Sequence, residues 1–131
     1  MKVTSARIRQ IIKEEISRAL NESTLEQALR DSQKNDNPVI RISSNQYMQV
    51  RSIVRYKGNQ PVITGYAVDF GTRATKDGIS GSGMMASADG ANGASKAIDI
   101  ALEKVQKQAE EGKGPYGTDP IDMNAEVTIL K

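Results

Sequence analysis

The run Tyr47-Met48-Gln49-Val50-Arg51-Ser52-Ile53-Val54-Arg55-Tyr56 alternates in character, with Met48, Val50, Val54 and Tyr56 on one side and Gln49, Arg51 and Arg55 on the other. A period of two residues is that of a strand with one solvated face. Lys57-Gly58-Asn59-Gln60 follows. Glycine and asparagine accept positive φ at little cost, so the chain is expected to turn back here, and Pro61 suits the first position of the returning strand. That strand is expected to carry Val62, Tyr66, Val68 and Phe70 on one face and Ile63, Gly65, Ala67 and Asp69 on the other. Lys76-Asp77-Gly78 is a second turn signal, and a weaker third strand is expected from Ile79 to Ala86, where glycines interrupt the pattern.

Downstream, Ala94, Ala97, Ile98, Ala101, Leu102, Val105 and Ala109 recur at steps of three and four and form one apolar stripe, while Lys96, Asp99, Glu103, Lys104 and Lys107 fall elsewhere. Asp89 or Asn92 is a candidate cap for this helix, and Gly112 followed by Gly114-Pro115 stops it. The alanines let a helix lie close on a sheet. Hairpin and helix together predict an α+β fold, a small two-layer sandwich in which an antiparallel sheet of three to five strands is packed by one helix from the C-terminal half.

Working outward, Ile8, Ile11, Ile12, Ile16, Ala19 and Leu20 share a helical face in residues 1–22, and Lys2, Arg7, Arg9, Lys13 and Arg18 crowd the rest. Glu14 and Arg18 stand in the favourable i,i+4 order. Ser23-Thr24-Leu25-Glu26 is a capping-box pattern with serine at the cap, so a new helix carrying Leu25, Ala28 and Leu29 is expected to start there. The chain thus divides into a basic amphipathic arm, 1–22, and one α/β domain, 23–131. Asp31 to Asn37 reads as a loop. Val39 to Ser43 reads as a short strand with Ile40 and Ile42 inward. Gly112 to Asp122 reads as a longer loop, and Asn124 to Lys131 as a closing strand with Ala125, Val127 and Ile129 on one face. A terminal strand of this kind joins its own sheet or a neighbour's.

Composition narrows the chemistry. The chain has 131 residues, room for one domain, and only 4% are aromatic with no Trp, so Ile, Val, Leu, Met and Ala must fill the core. Cysteine is absent, which removes disulfides and thiolate chemistry and points to the cytosol or the interior of a particle. Histidine is absent too, which removes the commonest general base and transition-metal ligand. No apolar run approaches the roughly 18 residues of a membrane span, and the apolar stretch of a secretory signal is missing. A net charge of +2 is too small to make the whole chain an electrostatic nucleic-acid binder.

Met1-Lys2-Val3-Thr4 and Arg7-Ile8-Arg9-Gln10-Ile11-Ile12-Lys13-Glu14-Glu15 resemble the leader-like N-termini of T-even-type and marine tailed-bacteriophage proteins. The resemblance implies delivery into an assembling head, and Leu20-Asn21-Glu22 is similar to the pattern after which that group's prohead protease cuts. Ser95-Lys96-Ala97 resembles the start of the last helix in the double-stranded-RNA-binding domain. That family clusters lysines there for phosphates, whereas here Ala97, Ile98 and Asp99 follow.

The candidate sites follow from these patterns. Ile8, Ile11, Ile12, Ile16 and Leu20 form the expected partner-docking face. Arg51 and Arg55 on the outer sheet face, Lys96 and Lys104 on the helix, and Gly81, Gly83, Asn92 and Ser95 in and after the glycine-rich stretch form a candidate anion or nucleic-acid contact, because backbone amides at a helix start favour anions. Neither a Walker pattern nor a dinucleotide fingerprint is present. Gly78-Ile79-Ser80-Gly81-Ser82 brushes against the nucleophile-elbow pattern, but no histidine exists to take the proton. Asp119, Asp122 and Asn124 are read as turn residues and not as metal ligands. The expectation is a non-catalytic assembly protein without cofactor or metal, self-associating or docked on a larger particle such as a phage virion. The alternative is a nucleic-acid-binding module.

Overall fold

The computed structural model describes residues 22–75, 78–81 and 83–130. Its elements are β1 (Glu22–Thr24), α1 (Leu25–Ser32), β2 (Ile40–Ser43), β3 (Gln46–Lys57), β4 (Gln60–Gly71), β5 (Arg73–Thr75), β6 (Gly78–Ser80), β7 (Met84–Asp89), α2 (Gly93–Glu110) and β8 (Glu126–Ile129). One six-stranded antiparallel sheet has the order β1-β8-β2-β3-β4-β7, and β5 and β6 form a separate pair. The fold is α+β, with both helices on one face of the large sheet.

The alternation in β3 and β4 sets the inner face. Met48, Val50, Val68 and Phe70 are buried beneath Ala97, Ile98, Ala101, Leu102 and Val105 of α2 and Leu25, Ala28 and Leu29 of α1. The alanines at 94, 97 and 101 are what let α2 lie close: all three are buried. Its start is set by Gly93, where a Cβ would stand 2.5 Å from the Ala88 carbonyl oxygen, so a larger residue would lift the helix off β7. Its end is a turn through Gly112 at φ +74, with the Lys113 amide donating to the Gln108 carbonyl. Arg30 of α1 reaches Asp99 of α2 at 2.6 Å and ties the two helices together.

Several sequence expectations change. The third strand is divided: β6 pairs with β5, whereas β7 runs beside β4. Gly81, at φ +89, lies in the break between them. The cap of α1 is Thr24, one residue after the expected Ser23: its hydroxyl accepts from the Gln27 amide, while both residues pair with β8 in β1. Glu22, assigned to the arm on sequence, is the first residue of β1. The stretch from Asp31 is helical through Ser32 and continues as a 3-10 turn to Asn35, ended by left-handed Asp36 and Asn37. Asn92 occupies the cap position of α2 without a side-chain cap bond. The closing strand lies inside its own sheet, between β1 and β2, and Ala125 falls before it and is exposed.

Candidate functional site

The β3–β4 hairpin is longer than the sheet around it. β2 pairs with β3 only as far as Met48, and β7 pairs with β4 only from Gly65 onward. Beyond those limits the hairpin continues as a two-stranded ribbon with neither edge paired to a strand among the described residues, closed by Gly58 and Asn59 between paired Lys57 and Gln60. Only Gly58 of the two loop residues has positive φ, at +65, the pattern of a type II′ turn.

A bulge shifts the register of this ribbon between Ile53 and Val54, so that Ile53 faces Gly65 and Val54 faces Ile63. Thr64 is the extra residue; its hydroxyl donates to the Ile53 carbonyl, and its own carbonyl accepts from the Gly90 amide. Cross-strand partners share a face. Val62, expected beside Tyr66, Val68 and Phe70, is therefore turned to the side of Arg55, and Ile63 takes its place beside Val54. Val54 and Tyr56 continue the inner face of β3 with Ile63 opposite Val54, but among the described residues no helix covers them: Val54 is 46%, Tyr56 72% and Ile63 57% exposed. Together with Pro61, the partner of Tyr56, they make an apolar shelf that prolongs the core surface into solvent. Runs of exposed apolar residues on a projecting element mark interaction sites.

The charged candidates do not converge. Arg51 Nε lies 2.6 Å from Asp69 Oδ2 on the outer face, so its charge is matched locally. Lys104 is on the other side of the molecule, where its Nζ donates to the Met85 carbonyl at 2.6 Å. Lys96 and Ser95 are exposed on the first turn of α2, and Arg55 is exposed on the ribbon. Gly83 accepts from the Phe70 amide, and Gly81 packs against Thr72. The glycine-rich stretch is thus mostly bound into strand pairing. Ile8, Ile11, Ile12, Ile16 and Leu20, the expected docking face, lie outside the described residues.

On the outer face, the β5–β6 pair folds over Gly71, whose Cβ would stand 2.7 Å from the Ser80 carbonyl oxygen. A cleft of about 370 Å³ opens between β6, the Asp36-Asn37 turn and β3, with Gln49, Arg51 and Asp69 on its floor. Gln49 Nε2 donates to the Asn37 carbonyl, whereas Asn37 Oδ1 and Asp69 Oδ1 are buried with no hydrogen-bond partner among the described residues. Among the described residues no group of three His, Cys, Asp or Glu side chains gathers to hold a metal ion. Asp122 Oδ1 accepts from the Asn124 amide at 2.9 Å, which is turn chemistry. Among the described residues no helix is long and apolar enough to cross a membrane.

No protein-family model, curated protein or solved structure matches the chain.

Two features escaped sequence reading. Tyr116, in left-handed conformation, stacks on Phe70 with ring centroids 5.9 Å apart and donates its hydroxyl to the Met84 carbonyl. A tyrosine in a Gly-Pro-rich loop carries no periodic signal. The bulge had one sign, Gly65 inside a strand, since interior glycine often accompanies such irregularities.

Proposed function

We propose that this chain is a non-catalytic assembly protein whose projecting hairpin docks it onto further copies of itself or onto a larger particle. The observation that carries this reading is the shelf of Val54, Tyr56, Ile63 and Pro61 on a ribbon whose edges pair with no further strand among the described residues. Leaving such residues exposed forfeits about 1.5–3 kcal/mol of burial for each large side chain, and a partner recovers it. The isoleucine face expected from the sequence of residues 1–22 would add a second apolar surface. The resemblance of the first 22 residues to phage leader-like segments supports a virion as the setting.

The test is sedimentation velocity of the full chain across a hundredfold concentration range. Concentration-dependent association is expected; a monomer at every concentration, with no retention on the particle fraction of its source, removes the reading.

A second reading has one observation in its favour. Tyr56 is exposed and flanked by Arg55 and Lys57, both also exposed, an aromatic between cations that suits base stacking against a phosphate backbone. It requires single-stranded nucleic acid to bind with an affinity that falls steeply as salt rises, and binding absent at low salt removes it.

A further inference from the structure

We infer that the edge of β3 from Ser52 to Lys57 is a seat for an extended strand of another polypeptide, one that alternates apolar residues with aspartate or glutamate. The inference rests on the assembly reading above and names the chemistry of a partner.

Natural sheets blunt their edges, and one edge of the large sheet stands apart from the rest in this respect. β1 is three residues long and passes straight into α1. In β7 the Met84 carbonyl accepts from the Tyr116 hydroxyl and the Met85 carbonyl from Lys104 Nζ, so neither is offered to a further strand. Along the free length of β4, Pro61 has no amide to give, and the Thr64 carbonyl already accepts from the Gly90 amide. β3 carries no proline or glycine past Met48, where its pairing with β2 ends. Among the described residues, no group outside the hairpin bonds to the backbone of Ser52, Val54 or Tyr56.

The backbone of those three residues is turned the right way. With two residues in the loop, Lys57 and Gln60 form a hydrogen-bonded pair, and such pairs alternate with non-bonded ones along an antiparallel ladder. Tyr56 and Pro61 are then a non-bonded pair, the place where proline costs the ladder nothing. Tyr56 and Val54 therefore direct both amide and carbonyl away from β4, to the open side. Ser52 does the same, since the Ile53 carbonyl between them is turned to β4, where the Thr64 hydroxyl reaches it. An extended segment adds to such an edge through main-chain hydrogen bonds.

Charge names the partner. A strand laid along this edge shares both faces of the ribbon, its side chains standing alternately beside Val54 and Tyr56 on one face and beside Ile53, Arg55 and Lys57 on the other. Arg55 and Lys57 are exposed and face Val62 and Gln60 across the ribbon, so no carboxylate stands opposite either, whereas Arg51 has Asp69 at 2.6 Å. Apolar residues suit the first face and carboxylates the second. A second copy of β3 does not supply them: two-fold antiparallel pairing centred on any residue from Ile53 to Tyr56 sets two of Arg51, Arg55 and Lys57 opposite one another, which is repulsive.

The probe is a fluorescein-labelled peptide alternating valine and glutamate, blocked at both ends, titrated with the full chain and read by fluorescence anisotropy. Saturable binding is expected, weaker by about tenfold or more for a peptide alternating valine and lysine, and absent when every backbone amide of the probe is N-methylated. Arg55→Glu combined with Lys57→Glu is expected to reverse the preference between the two peptides at unchanged circular dichroism. Binding that survives N-methylation, or a preference that the doubly substituted chain keeps, overturns the inference, because attraction without strand pairing explains either. Binding of a single-stranded oligonucleotide in place of the peptide overturns it in favour of nucleic acid. No peptide binding in a sample that still associates with itself or with the particle fraction overturns it while leaving the assembly reading standing. A sample that binds no peptide, stays monomeric and is not retained on that fraction removes both.

Discussion

At the scale of single residues, the contacts that hold the molecule are few and specific. Gln46 is buried, its Nε2 donating to Thr118 Oγ1 and to the Asp119 carbonyl while its Oε1 accepts from Ser43, so one side chain pins the loop after α2 to the start of β3. Gln46→Ala strands those groups and is expected to lower unfolding free energy by about 1–3 kcal/mol, read by urea denaturation. Gly93→Ala places a methyl against the Ala88 carbonyl and is expected to cost about 1–3 kcal/mol in the same assay, although alanine is the better helix former. The hydrogen bond to Asp99 is the first cause that holds the Arg30 pKa above its ordinary value, with Glu26 adding to it and desolvation opposing it. A raised basic pKa contributes stability below the unfolded value, lost only as pH rises through the folded one. Arg30 therefore contributes unchanged through the neutral range. The pair is largely solvent-exposed, and Arg30→Met is expected to cost no more than about 1 kcal/mol at any neutral pH, measured by thermal unfolding at two pH values.

At the scale of elements, α2 and the hairpin behave differently, and the difference explains what was legible in the sequence. The stripe of α2 is a long, single-period pattern, and Ala94, Ala97, Ile98, Ala101, Leu102 and Val105 are buried as read, with Ala109 at its far end only half-buried. Ala101 faces the sheet at full burial, so Ala101→Leu is expected to force the layers apart and lower the denaturation midpoint by the equivalent of about 1–3 kcal/mol. The hairpin was legible as two strands and a turn, and the faces of β3 held through Tyr56, yet those of β4 were readable only from Gly65 onward. One extra residue, Thr64, exchanges the sides of Val62 and Ile63, and a shift of register by one residue moves every later side chain to the opposite face. Exposure of Val54 and Tyr56 was also hidden, because alternation tells which residues share a side and not whether anything lies over that side. The short strand β6 was merged with β7, and β5 was not read at all, for a related reason: a three-residue strand has no period to read.

At the scale of the whole molecule, the sheet has more surface than its helices cover. α1 and α2 bury the inner face from β8 to β7, and the closing strand is locked between β1 and β2, so that end of the chain is not offered to a neighbour. Among the described residues no helix covers the inner face of the ribbon, and this ribbon is proposed as the place where the chain meets its partner. The candidate cations sit on two sides of the molecule, with Arg51 and Lys104 already engaged, which sets assembly ahead of nucleic-acid binding. Val54 and Ile63 are about half exposed and face each other across the ribbon, so replacing both by aspartate sets like charges opposite one another in a strand and is expected to cost the monomer about 1–2 kcal/mol while leaving it folded. The measurement that tests the account most directly is light scattering behind size-exclusion chromatography on the full chain and on the Val54→Asp/Ile63→Asp variant at matched concentration. The account predicts an associated wild-type chain and a folded, monomeric variant; an unchanged mass in the variant, with unchanged circular dichroism, contradicts it.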